Sequence, residues 1–195
     1  RPPESRYQVT EGVTPRLQRV LDMLEISPAF IKTATWDVIA WNRAAAVALW
    51  DYGSVPPSER NILRRMFCDP LARERQTDWE SVARFVVAAF RADAIRAGAS
   101  EAVKDIVDEL SRASPEFAAM WRENDVRSHG EGMKQLRHPA GLLGLEYSSF
   151  AIDGRPDLSM VIYNPSTPKD ADLIRSLVTA KADDEKSRRR PVKRT

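Results

Sequence analysis

The chain has 195 residues, 43% hydrophobic and 30% charged, which suits one large domain or one domain with a small appendage. Its longest unbroken apolar run is the seven residues from Ala44 to Trp50, far short of the roughly 20 that cross a bilayer, so a soluble protein with no membrane partner is expected. Thirty basic against 28 acidic residues leave +2, but residues 181–195 hold seven basic and three acidic ones, so that stretch carries +4 and the remainder −2; a near-neutral body lacks the single-sign patch of an electrostatic nucleic-acid binder.

A single cysteine, Cys68, excludes an intrachain disulfide and fits a reducing compartment, and with two histidines it falls short of a closed zinc site. Cys68 reads as a small buried hydrophobe. The first residues have no charged stretch followed by an apolar one and a small-residue cleavage site, so the cytoplasm is the expected location. Because the sequence starts at Arg1 rather than methionine, a further domain upstream is expected.

Residues 1–13 are polar and irregular; Thr14 then supplies an N-cap and Pro15 a first helical residue, and Leu17, Val20, Leu21 and Leu24 make one apolar face before Ser27 and Pro28. From Ala29 to Trp41, β-branched and aromatic residues surround a polar centre at Thr35 to Asp37, which predicts a hairpin. Asn42 caps a short helix ended by Gly53 and Pro56. The spacing then predicts helices capped by Ser58 (Ile62, Leu63, Met66, Phe67), by Asp78 (Trp79, Val82, Val86, Phe90) and by Ser114 (Phe117, Met120, Trp121), with one more through Val103, Ile106, Val107 and Leu110. Beyond Gly130 and Gly132 the period becomes two. Leu143, Leu145 and Tyr147, then Leu158, Met160 and Ile162 across Asp153-Gly154, predict paired antiparallel strands. Leu173, Ile174, Leu177 and Val178 predict a terminal helix, and residues 181–195 have too little apolar content to fold. Strands this short at both ends are expected to join in one antiparallel sheet covered by helices, an α+β fold.

Seven segments carry a family resemblance: PRLQRVLDMLEISPAF, TWDVIAWNRAAAVALW, ERNILRRMFCDP, DWESVARFVVAAFRAD, SPEFAAMWRENDV, HPAGLLGLEY and LSMVIYNP. In this order, over roughly residues 14–165, they resemble the ligand-binding domain of the MmyB-like transcription regulators. The resemblance implies a PAS-like fold following an N-terminal helix-turn-helix DNA-binding domain, and a pocket that accepts a fatty acid in a characterised member. The domains expected are a linker over 1–13, the PAS-like ligand-binding domain over 14–180 and a basic disordered tail over 181–195. Where many relatives place histidine before aspartate and valine, this chain has Asn124-Asp125-Val126, which leaves no histidine to act there.

A pocket for a fatty acid needs an apolar tube and a donor at its mouth, since each buried methylene contributes about 0.8 kcal/mol whereas an unpaired buried carboxylate costs several. Arg60 and Asn61, at a helix start, are the first candidates for that donor; the competing reading pairs Arg60 with a carboxylate and has Asn61 fasten the loop over 53–57. Trp41 would line the cavity and Asn42 donate to ligand, against plain core packing for Trp36 and Trp41 and N-capping for Asn42. Met66, Phe67, Phe85, Phe90, Met120, Trp121 and Met160 suit an adjustable apolar wall and equally a solid core. His138, at a strand start, is either a pH-responsive neighbour of the pocket or hydrogen-bonded scaffold, and His129 reads as a loop residue. No nucleophile elbow, P-loop or dinucleotide fingerprint occurs, so no enzyme activity, catalytic residue, metal or cofactor is expected.

The function expected is the sensing half of a regulator: a fatty acid or similar apolar carboxylate shifts the population of packings, and residues 1–24 pass that preference to the N-terminal domain, through which alone DNA is reached, or to a homodimer partner. The alternatives are a protein-protein interaction or dimerisation module with a solid core, and an acyl hydrolase. The run from Ser187 to Arg194 offers contacts to DNA phosphates or acidic lipids, against a solvated tail.

Overall fold

The computed structural model describes residues 12–98, 100–123 and 131–189, the side chains of 131 and 189 excepted. Residues 1–11 of the linker expected over 1–13, Asn124-Asp125-Val126, His129 and the basic run beyond 189 lie outside the described residues. Among those described there are eight α-helices and one five-stranded antiparallel sheet.

Helix α1 (Pro15–Asp22) starts where Thr14 Oγ1 accepts from the Leu17 amide at 3.3 Å. Strands β1 (Ala29–Thr33) and β2 (Val38–Trp41) form the expected hairpin around Trp36, a non-glycine residue at φ 66°. Asn42 caps α2 (Arg43–Ala48). Helices α3 (Ile62–Cys68) and α4 (Pro70–Arg75) follow; the cap of α3 is Asn61, not Ser58, which lies in a single 3-10 turn. Asn61 wins because its carboxamide accepts from Arg64 while donating to the hairpin turn, whereas Ser58 makes no side-chain cap bond. A helix break at Asp69-Pro70, unread in the sequence, follows from Asp69 capping α4 with proline at its first position. Helices α5 (Trp79–Arg96), α6 (Glu101–Ala113) and α7 (Pro115–Arg122) complete the helical block, with Asp78 and Ser114 as the expected caps.

Strands β3 (Glu131–His138), β4 (Gly141–Ile152) and β5 (Arg155–Pro165) form a meander, and β5 pairs with β1 in the order β2-β1-β5-β4-β3. The β4–β5 turn places Gly154 at φ 74°, the left-handed conformation that glycine takes without strain. The hairpin over 29–41 and the meander over 131–165 thus meet in one sheet, the PAS-like α+β architecture. One sheet face carries Ala29, Ile31, Ala40, Leu158 and Met160 against Leu21 of α1. The other carries Phe30, Leu136, Leu143, Leu145, Tyr147, Val161 and Tyr163 toward α2 and the final helix α8 (Pro168–Arg189).

Residues 181–189, expected to lack a fold, continue α8. Pairs one turn apart, Lys186–Asp183 and Arg188–Asp184, support the helix, and Lys181 and Glu185 bridge to Asp51 and Arg43 of the body. Cys68, expected to be buried, is exposed at the last turn of α3. The inward positions of that helix are Leu63 and Met66.

Candidate ligand-binding cavity

The inward face of the sheet does not close fully on the helices. Between it and α3 and α5 lies a cavity of about 410 Å³, walled by Phe30, Trp36, Ile62, Met66, Phe85, Val86, Val161 and Tyr163. Its size falls within the roughly 300–1,000 Å³ of small-molecule sites. The rim runs from Thr77, Asp78 and Ser81 at the start of α5 to Met133 and Gln135 on β3, all exposed. A smaller void of about 90 Å³ adjoins it, shares Phe30, Ile62, Met66, Lys134 and Tyr163 as walls, and reaches Tyr52, Arg75 and Gln76. Gly132 lets β3 approach α5 closely, since a Cβ there would sit 3.3 Å from the Phe85 ring.

Polar groups enter this apolar space at two places. At one wall Lys32 pairs with Asp93, which also accepts from Trp36 Nε1 at 2.9 Å and from Arg96 at 2.9 Å, while Arg96 donates to Ser159 Oγ at 2.6 Å. Burial pulls the Lys32 ammonium down to about 8 against the attraction of Asp93. At the junction of the two chambers stands Lys134, its Nζ 4.0 Å from the Tyr163 ring centre. Burial, with Arg75 adding to it, pulls that ammonium down to about 7. The same burial pushes the Tyr147 hydroxyl up to about 12 and that of Tyr163 well above its ordinary value, so both remain protonated donors.

An apolar cavity with a few inward polar groups on a PAS-like sheet is a candidate small-molecule site, and the family comparison agrees. Residues 13–177 match the family model of the MmyB-like transcription regulator ligand binding domain. The chain belongs to that family. Comparison with curated proteins gives no match. This MmyB-like domain is the ligand-binding part of a transcription regulator, and its family is not one of enzymes. Among its described residues no helix is long and apolar enough to cross a membrane, and no group of three or more His, Cys, Asp or Glu side chains gathers as for a metal.

Of the eight residues singled out from the sequence, Met66 alone lines the cavity. Arg60 Nε donates to the carbonyls of Tyr52 (2.8 Å) and Val55 (3.1 Å) and the guanidinium covers the Trp41 ring, so both residues fasten a loop and neither lines the cavity. Asn61 donates to Thr35 O and Asp37 Oδ1 while capping α3. Asn42 caps α2, accepts from the Ala29 amide, and donates to the carbonyls of Leu21, Leu24 and Ser27. Phe67 packs edge-on against Phe117 and Trp79, and Trp121 stacks on Phe117, within the helical block and outside the cavity lining. His138 ends β3 instead of starting a strand; its Nδ1 accepts from the Ala140 amide and its Nε2 therefore donates to Val47 O at 2.9 Å. Burial lowers its pKa, so it is neutral scaffold.

Among the wider apolar set, Phe85 lines the cavity, whereas Met160 faces α1 across the sheet. The sequence reading missed Lys32 and Lys134. A signal exists for both: in Phe30-Ile31-Lys32 and in Gly132-Met133-Lys134-Gln135-Leu136 a lysine occupies the alternation shared with an inward Phe30 or Leu136. Only a known strand register turns that parity into a direction.

Proposed function

We propose that this domain senses a fatty acid or similar apolar carboxylate held in the cavity between the sheet and α3 and α5, and that occupancy changes DNA binding by an attached helix-turn-helix domain. The observation that carries the reading is the cavity itself: about 410 Å³ walled by aromatic and aliphatic side chains, with basic groups among the few polar ones. Ten buried methylenes would supply roughly 8 kcal/mol before ordering costs, enough for affinity near micromolar.

A route from cavity to N-terminus supports regulation. Phe30 walls the cavity, and the next residue back, Ala29, donates its amide to Asn42 Oδ1 at 3.0 Å. Asn42 Nδ2 in turn donates to the carbonyls of Leu21, Leu24 and Ser27, which tie down the end of α1 and the segment after it. Displacement of β1 by ligand therefore reaches the segment that leads toward residues 1–13. The ligand regulates only if it binds the two packings with different affinity.

Native mass spectrometry and solvent extraction of the purified protein test the reading. A stoichiometric apolar carboxylate, and thermal stabilisation of the emptied protein by added fatty acid, are expected; saturation at about 100 times Kd would add roughly 2.7 kcal/mol. An emptied protein that no apolar ligand stabilises would overturn it and favour the interaction-module alternative.

A further inference from the structure

We infer that Lys134 is the anchor for the ligand's anionic head, and that it makes the cavity selective for a singly charged carboxylate over a neutral amphipath of the same chain length. The inference rests on the reading of the cavity as an apolar-ligand site and adds to it the residue that sets orientation and headgroup.

The other cations that border the two chambers are already engaged. Lys32 is paired with Asp93, Arg65 with Asp69, and Arg75 donates to the carbonyls of Leu49 (2.8 Å) and Ala48 (3.3 Å) at the end of α2. Lys134 has neither a carboxylate nor a hydrogen-bond acceptor among the described residues; its Nζ meets the Tyr163 face, and Arg75 nearby bears the same sign. Around it stand Tyr147 and Tyr163 from the strands, Lys32 from β1, Tyr52 before α3, Arg65 and Arg75 from α3 and α4, and Asp78 at the rim, whose carboxylate accepts from the Ser81 amide to cap α5. An ammonium left without an anion in such surroundings is costly, and a carboxylate supplied by a ligand removes that cost while gaining a charge-assisted hydrogen bond.

A second group borders the smaller chamber. Gln76 Oε1 is buried without a hydrogen-bond partner on the wall of the smaller chamber that Lys134 also borders. Rotating the carboxamide by half a turn presents Nε2–H instead, so Gln76 adapts to an incoming acceptor without moving the backbone. Lys134 at the junction and Gln76 on the wall of the smaller chamber, with an aromatic and aliphatic chamber leading away, match an amphipath bound head inward at the junction and tail along the larger cavity.

The test uses delipidated protein with dodecanoate and dodecanol as probes, titrated calorimetrically at pH 7 against wild type, Lys134→Met, Lys134→Gln and Lys134→Arg. Wild type is expected to bind dodecanoate about ten- to a hundredfold more tightly than dodecanol, the range of a charge-assisted bond. Lys134→Met and Lys134→Gln are expected to lose that preference by weakening dodecanoate alone, with dodecanol within threefold of wild type, which also reports an intact cavity; Lys134→Arg retains the preference. Equal binding of both probes by wild type, or an undiminished preference in both neutral variants, overturns the assignment while leaving the cavity reading in place. Failure of both probes to bind wild type overturns the cavity reading and the anchor with it.

Discussion

Lys32 on β1 and Asp93 on α5 form an ion pair beneath the Trp36 indole, with the ammonium 4.0 Å from the ring centre and the indole N–H on the same carboxylate. Both residues are buried, at 1% and 8% exposure, so the pair bolts the helix to the sheet at one wall of the cavity. Its partners depend on each other, because either charge alone would be stranded in apolar surroundings.

Asp93→Ala is therefore expected to destabilise the protein by about 3 kcal/mol or more in urea unfolding, since it strands Lys32 and releases Trp36 Nε1. The double variant Lys32→Met, Asp93→Ala should recover a substantial part of that loss. Equal destabilisation in the single and double variants would show that lost packing, not a stranded charge, is the cause.

Stability and ligand affinity should depend on pH through Lys134 with opposite slopes. Its folded pKa near 7 lies below the 10.5 of an unperturbed lysine, so between those values the unfolded chain binds more protons and the empty protein gains stability as pH rises. From about pH 8 upward Lys32 contributes in the same direction. Lys134→Met should abolish the part between pH 7 and 8 and, at or below pH 7, stabilise the empty protein by about 1 kcal/mol. Affinity for dodecanoate should fall above pH 7 by up to about tenfold per unit, since binding then requires protonation of Lys134. Thermal melts and titrations from pH 6 to 9 measure both.

Asn42→Ala should cost about 2–4 kcal/mol, more than an ordinary N-cap, because three carbonyls and two amides lose a hydrogen bond together, the Leu21 carbonyl keeping the Leu24 amide. Asn42→Asp keeps the acceptor for Ala29 and Ala45 but strips the donors, and an intermediate loss in denaturant midpoint is expected.

Arg60→Ala should lower stability by about 1 kcal/mol and leave dodecanoate affinity within twofold of wild type. Its guanidinium serves the carbonyls of Tyr52 and Val55 and the Trp41 face, none of which requires a ligand. A tenfold loss of affinity with unchanged stability would return Arg60 to the site.

Val86→Phe should fill part of the cavity, since Val86 on α5 is 7% exposed and forms its wall. Displacing two methylenes of a bound chain costs about 1.6 kcal/mol, so affinity for long acids should drop about fifteenfold and for short ones little. Equal losses across chain lengths would place the tail elsewhere.

Local chemistry was legible in the sequence wherever it acts within a few residues. The caps at Thr14, Asn42, Asp78 and Ser114, the turns at Thr35 to Asp37 and Asp153-Gly154, and the alternation of Leu143, Leu145 and Tyr147 all stand in the structure, because capping and turn formation are decided by neighbours along the chain. The α+β class and the family were legible for the same reason, carried by motifs in order. The binding wall was not. Arg60, Asn61 and Asn42 look like ligand donors in one dimension, and only the tertiary structure brings the carbonyls of Tyr52, Thr35 and Leu21 to engage them away from the cavity. Lys134 looks like a surface lysine in one dimension. The pairing of β3 with β4, Lys134 opposite Leu145, turns it inward beside Tyr163, where no carboxylate among the described residues pairs with it. Which polar group stays unsatisfied depends on every element packed around it, and that sum over distant segments exists only once the chain has folded.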